Sequence, residues 1–273
     1  MSRLIWLPLL LLAVFATGCA NKNKDAPELT ERNQYRAAAT AMESRNFNRA
    51  IEQLRELQVR FPFGDFAEQS QLDLIYAQFR SLDYPATVVA AQRFLRSYPN
   101  HPNEDYALYM RGLAHFHMER GLFDNVLSAD RSSRDLRSAR EAFRDFDRLV
   151  RRYPESEYAP DARARMVHIR NQLASQELHV ARYYARRGAV IAAVNRAQNV
   201  VKHYQQTPAV PEALAIMARG YRELGQDELA DKSLAVLQHN WPDSEFIERG
   251  QTQLAWWPRG DGSILSLLTF DLL

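Results

Sequence analysis

The sequence predicts an all-α fold, a solenoid of about five helix pairs with one unusually long helix near residues 161–187. Three observations carry this reading. An aromatic residue closes an apolar helical pattern five times along the chain, proline follows that aromatic directly in four of the five copies, and no Gly or Pro interrupts residues 161–187.

The five closures are Leu54, Leu57 and Phe61; Ala91, Phe94 and Tyr98; Phe146, Leu149 and Tyr153; Ala197, Val200 and Tyr204; and Leu234, Leu237 and Trp241. Spacing of i, i+3, i+7 places each set on one face of a helix. Pro62, Pro99, Pro154 and Pro242 then end the helix, because proline lacks an N–H and its ring clashes with the preceding turn. The fourth copy has Gln205 there, with Pro208 three residues on. Ala50, Ala142, Ala193 and Ala230 each stand 11 residues before their closing aromatic, where a small side chain lets two helices approach. Periodicity on this scale marks a repeat array.

The closing aromatics are 37, 55, 51 and 37 residues apart. The first long interval holds GLFDNVLSADRSSRD, residues 121–135, which opens with Gly, is rich in Ser and Asp, and reads as a long loop. The second holds the uninterrupted residues 161–187, a helix of about 40 Å at 1.5 Å per residue. The two-helix unit resembles the tetratricopeptide repeat, most clearly in Leu214, Met217, Ala218, Tyr221, Gly225, Ala230, Leu234, Leu237 and Pro242. Stacked pairs of that kind present a concave face to an extended peptide or a partner's edge.

Ahead of the repeats, residues 1–18 form a leader: Arg3, an apolar run over 4–16 broken by Pro8, then small residues. The run is 13 residues, short of the ~20 that a spanning helix needs. Cys19 is the only cysteine, so a disulfide framework and a cysteine-based zinc site are excluded. The order Ala16-Thr17-Gly18-Cys19 resembles the bacterial lipobox, in which the thiol receives a diacylglyceryl group and the new amino terminus an acyl chain. Three acyl chains exceed the two-signal threshold for stable anchoring. Ala20, which is not Asp, implies by the same resemblance export to the outer membrane. Residues 19–28 are then an acylated polar tether, 29–246 the repeat domain, and 247–273 a tail whose order is open. The terminal SILSLLTFDLL is too short to span a bilayer.

The formal net charge is +2, from 35 basic and 33 acidic side chains, which gives no electrostatic case for nucleic acid as a partner. No nucleophile elbow, Walker loop, dinucleotide fingerprint or HExxH is present. His115 and His117 fall on opposite helix faces, and His168 and His179 have no carboxylate at ligand spacing, so no metal and no catalytic residue are assigned. Arg134, Arg137, Arg140, Arg144, Arg148 and Arg151 make a stripe interleaved with Asp135, Glu141, Asp145 and Asp147, read as a solvated face of i, i+4 ion pairs; a docking stripe for an acidic partner or phospholipid is the alternative.

Four stretches carry a closer resemblance: RFPFGDFAEQSQLDLIYAQFR at 60–80, HPNEDYALYMRGL at 101–113, DRSSRD at 130–135 and ARYYARRGAVIAAVNRAQ at 181–198. With the lipobox and the helix pairs, they resemble the BamD family, a lipoprotein component of the bacterial β-barrel assembly machine. The resemblance implies a non-enzymatic, outer-membrane-anchored protein on the periplasmic face. It also implies binding to the last POTRA domain of BamA through carboxy-terminal repeats, and to unfolded outer-membrane β-barrel proteins and other Bam lipoproteins through amino-terminal ones. Carried onto this chain, the substrate or partner groove comprises Phe61, Pro62, Phe63, Gly64, Tyr76 and Arg80, and the BamA contact Asn195 and Arg196. Phe61 and Pro62 also end a helix, and Arg196 also reads as a solvated helix residue. No cofactor is implied beyond the lipid on Cys19. A pilot lipoprotein escorting a secretin or pilus ring, and a cell-wall hydrolase, are the rival classes.

Overall fold

A computed structural model describes residues 30–119, 136–248 and 251–258. Cys19, the leader, the tether and the loop expected at 121–135 lie outside the described residues. Those described form ten α-helices: α1 (Glu31–Glu43), α2 (Phe47–Arg60), α3 (Ala67–Arg80), α4 (Tyr84–Ser97), α5 (Glu104–Glu119), α6 (Arg137–Arg152), α7 (Ala159–Arg186), α8 (Val190–His203), α9 (Val210–Glu223) and α10 (Asp227–Asn240). A two-residue antiparallel pair comes after them, β1 (Ile247–Glu248) and β2 (Gln251–Thr252). The fold class is all-α and tetratricopeptide-like, as the sequence predicts.

The five sequence closures are one backbone motif. Phe61, Tyr98, Tyr153, Tyr204 and Trp241 cap α2, α4, α6, α8 and α10 with φ between −128° and −138°. Each donates its N–H to the carbonyl four residues back, at 2.8–2.9 Å. Each also accepts, through its own carbonyl, the N–H three residues on: Gly64, His101, Ser156, Thr207 and Ser244. Proline after the aromatic therefore stands at the second position of a β-turn, where its fixed φ is favoured. Gln205 makes the same turn without it.

Turns inside the pairs share a second motif. In α1–α2, α7–α8 and α9–α10, the N–H groups of Asn46, Ala189 and Gln226 reach back to the carbonyls of Ala41, Tyr184 and Tyr221. The residues before them, Arg45, Gly188 and Gly225, have φ of 59°, 71° and 71°. This is the Schellman termination, which needs a left-handed residue.

The chain divides between Ser81 and Leu82 into two compact units. In the first, α2 packs on α1 and α3 around Ala38, Ala41, Ala50, Leu54, Leu74 and Ala77. In the second, each of α4 to α10 packs on the next in sequence, and β2 meets α9. Ala50, Ala142, Ala193 and Ala230 are fully buried, as close helix approach requires. Helix α7 runs 28 residues, ~42 Å. It starts two residues ahead of expectation because Pro160 sits in its first turn, where a missing N–H costs nothing. No helix among the described residues is long and apolar enough to cross a membrane.

Candidate functional site: a turn in the first unit and a pocket in the second

The stretch Phe61–Pro62–Phe63–Gly64 joins α2 to α3, and its shape is fixed from α1. The Glu31 carboxylate accepts the N–H of Phe66 at 2.7 Å and that of Asp65 at 3.1 Å. It thereby caps the amino terminus of α3, which has no cap from its own side chain, and a negative charge there is favoured by the helix dipole. Gly64 leaves room for this contact: a Cβ on it would stand 2.2 Å from Glu31 Oε1 and would push the carboxylate aside. Phe66 stacks on Tyr35 at 4.4 Å, and the Tyr35 hydroxyl donates to Asp73 at 2.9 Å. Burial, then the Asp73 charge, drive the Tyr35 phenol far above its ordinary value. Burial also raises the Asp73 carboxyl, against the hydrogen bonds from Gln69 and Tyr35. On this anchored turn the Phe63 side chain is 98% exposed, while Phe61 is half-buried as a helix cap. A single exposed apolar side chain is common on protein surfaces, so the exposure of Phe63 makes it available for contact without by itself assigning a role.

Tyr76 and Arg80 are together but lie elsewhere. They occupy the carboxy-terminal half of α3, up to ~20 Å along the helix from the turn. Arg80 bonds the Tyr76 hydroxyl, and its guanidinium lies 4.8 Å from the Phe47 centroid and 5.4 Å from that of Tyr76. Phe47 meets Tyr76 edge-on at 6.1 Å. The six residues thus make two surfaces, an apolar knuckle at Phe63 and a cation–aromatic patch at Phe47, Tyr76 and Arg80.

In the second unit, Asn195 and Arg196 line an open pocket of about 490 Å³ with Tyr184, Ala192 and Asn199. The Arg196 guanidinium donates to Glu177 of α7 at 3.2 Å, so it is oriented while its side chain stays 45% exposed. Burial and then the Glu177 charge raise the nearby Tyr204 phenol, against Arg140. Two amides and a held guanidinium, backed by a tyrosine ring, can receive an acidic or carbonyl-bearing partner segment.

The arginine stripe of α6 is divided between two roles. Arg144 pairs with Glu141 at 2.6 Å and Arg151 with Asp147 at 2.8 Å on the helix surface, as expected. Arg148 and Arg152 instead converge on Glu104 of α5, at 3.2 and 2.9 Å, and that carboxylate is buried. Asp145, read as part of the solvated stripe, is buried too and holds Arg111 and His115, the latter at 2.9 Å. His117 stacks on Tyr84 at 5.3 Å. Among the described residues no group of three His, Cys, Asp or Glu could hold a metal.

The helix pairs define a tetratricopeptide-like repeat protein with ordered side chains at the surface of each unit. A family model described as an outer membrane lipoprotein, YfiO, matches residues 27–237. A protein of Neisseria meningitidis serogroup A named outer membrane protein assembly factor BamD is 42% identical over 225 residues, covering 82% of this chain and 84% of that one. Proteins of the same name from Neisseria gonorrhoeae and Vibrio cholerae are each 39% identical, covering 92% and 82% of this chain and 95% and 92% of theirs. The chain belongs to the YfiO, or BamD, family of outer membrane lipoproteins. That family is one of assembly factors, and the chain is accordingly not an enzyme.

Glu31, Tyr35, Glu177 and Tyr184 are parts of these surfaces that the sequence does not single out. Glu31 meets its turn from 34 residues away, which no local spacing signals. Glu177 and Tyr184 lie about two turns apart on the long helix, and only the return of α8 joins them to Arg196.

Proposed function

We propose that this chain is an adaptor subunit of the β-barrel assembly machine, held at the periplasmic face of the outer membrane by lipid on Cys19. It binds BamA through the α8 pocket and receives unfolded barrel precursors, together with accessory Bam lipoproteins, on the first unit. The observation that carries the reading is the family match over residues 27–237, whose relatives are named outer membrane protein assembly factors.

The geometry supports each half of it. A barrel precursor offers strands with unpaired edges and alternating apolar side chains. Phe63, exposed on a turn held by Glu31, can contact such a chain without folding around it. At the other surface, Arg196 bonds Glu177 through one N–H and has further donors to offer a partner.

The test is calorimetric titration of the full chain in detergent micelles with the last POTRA domain of BamA. Saturable one-to-one binding, weakened by Arg196→Glu while the helical spectrum is kept, is the expected outcome. Absence of binding by a folded sample would reject the BamA half and favour the pilot-lipoprotein class. A Cys19→Ala chain is expected to leave the outer-membrane fraction; an unchanged distribution would refute the anchor.

A further inference from the structure

The linker after α10 has the form of one that opens a new helix pair. Ahead of α7 the chain reads Tyr153-Pro154-Glu155-Ser156-Glu157-Tyr158; after α10 it reads Trp241-Pro242-Asp243-Ser244-Glu245-Phe246. The two fold alike. Ser156 N–H bonds the Tyr153 carbonyl and Ala159 N–H the Ser156 carbonyl, at 3.1 and 3.0 Å; Ser244 and Ile247 do the same to Trp241 and Ser244, at the same distances. The serine hydroxyls accept the N–H of Tyr158 and Phe246 at 3.2 and 3.3 Å. A further helix would begin at Ile247. Gly250 and Pro258 disfavour one, and the chain makes the β1–β2 pair.

Phe246, Ile247, Leu254, Trp256 and Trp257 cover the apolar flank of the last repeat. Trp257 is 7% exposed, and its indole N–H donates to Glu223 of α9 at 3.0 Å. Phe246, Ile247, Leu254 and Trp256 pack on the same apolar cluster as Val190, Val194 and Val200 of α8. Gly220 marks where the three parts meet: a Cβ there would stand 2.3 Å from a Val194 methyl, 3.4 Å from Val190 and 3.6 Å from the Trp257 ring. Helix α8 is thus wedged on α9 beside this ring, and Val194 immediately precedes Asn195 and Arg196. The family match ends at residue 237, ahead of this segment.

We propose that residues 241–248 and 251–258 form a clasp where a sixth repeat would start, and that Trp257 is a positioning residue for the α8 docking face. The proposal rests on the reading of α8 as that face. A terminal repeat must cover its apolar flank, which an array normally does with a capping helix. Here a short hairpin and one indole do it, and the same contact fixes the helix that carries Asn195 and Arg196. Loss of the ring lets α8 loosen on α9 and widens the distribution of side-chain positions in the pocket.

The experiment compares hydrogen exchange and POTRA-domain titration for the full chain in micelles, as wild type, Trp257→Ala and Trp257→Phe. In Trp257→Ala, amide exchange within α8 is expected to accelerate about 100-fold, with α1–α3 unchanged. Affinity is expected to fall about tenfold, as for a residue that acts without touching the ligand. Trp257→Phe keeps most of the ring volume and should restore most of both. Unchanged exchange in α8, or unchanged affinity despite faster exchange, overturns the proposal. Should Trp257→Ala unfold the chain, Trp257→Leu, which leaves a smaller gap but no ring and no indole N–H, decides: faster exchange confined to α8–α10 supports the clasp, and wild-type exchange throughout rejects it. The Arg196→Glu titration separates the two readings. If that reversal leaves binding intact, the docking face is wrong, while the exchange data still judge the clasp.

Discussion

Glu31 closes on the backbone of Phe66 at 2.7 Å, so the first described helix caps the third. The contact joins stability to the proposed substrate surface, because the same carboxylate fixes the turn that holds Phe63. Glu31→Ala is expected to destabilise the chain by about 1–2 kcal/mol, the range for losing a helix cap. Gly64→Ala drives a methyl into the carboxylate and should cost a similar amount. The two costs should not add, since either change removes the same contact. Urea unfolding of the two single variants and the double one measures this; full additivity would show that Glu31 does not hold the turn.

Glu104 is the expected weak point of the second unit. Its buried carboxylate accepts from Arg148, Arg152 and the N–H of Asn100 at 3.2, 2.9 and 3.1 Å. Glu104→Gln leaves guanidinium groups facing a neutral amide and should cost about 2–3 kcal/mol. Arg144→Ala, which removes only an exposed pair with Glu141, should change stability by less than about 0.5 kcal/mol. Similar costs for the two in denaturant unfolding would reject this division of the stripe.

The contrast between those two residues shows what the sequence made legible. The closing aromatics, the buried alanines at 50, 142, 193 and 230, and the long α7 all arise from local periodicity, and all are where the spacing puts them. Arg144 and Arg148 look alike in sequence, because both recur at helical spacing among acids. They part only in three dimensions, where Glu104 comes from a helix 44 residues earlier in the chain. Glu31 and Glu177 escaped for the same reason. The clasp was legible in principle: WPDSEF echoes YPESEY, but comparison of closing aromatics alone does not extend past Trp241.

Alkaline pH should unfold the chain through its tyrosines. Burial, followed by the hydrogen bond and charge of Glu157, pushes the Tyr158 phenol up to about 12, from an ordinary 10.0. Burial and Asp161 raise Tyr109, which stacks on Tyr158 at 4.8 Å. A raised folded value means the native state holds its proton more tightly. This contribution is therefore fully present below pH 10 and is lost as pH rises from 10 toward 12. Tyr158→Phe removes one proton from the transition and should flatten the alkaline limb of stability against pH. An alkaline limb of unchanged slope would show that Tyr158 ionises equally in both states.

The turns within helix pairs predict a stability change of opposite sign at two equivalent positions. Arg45 and Gly225 both take the left-handed residue of a Schellman turn, with φ of 59° and 71°. The Cβ position of Gly225 meets nothing within 4 Å, so a methyl there is opposed only by the backbone conformation. Gly225→Ala should therefore destabilise by about 1 kcal/mol, the penalty for an L-residue in that region. Arg45→Gly removes the same penalty in the first unit, offset by the greater freedom of glycine in the unfolded chain, and should stabilise by about 0.5 kcal/mol. Thermal unfolding of the two variants checks both signs. If Arg45→Gly is destabilising, its side chain contributes contacts that outweigh the strain, and the two turns are not energetically equivalent despite their identical hydrogen bonds.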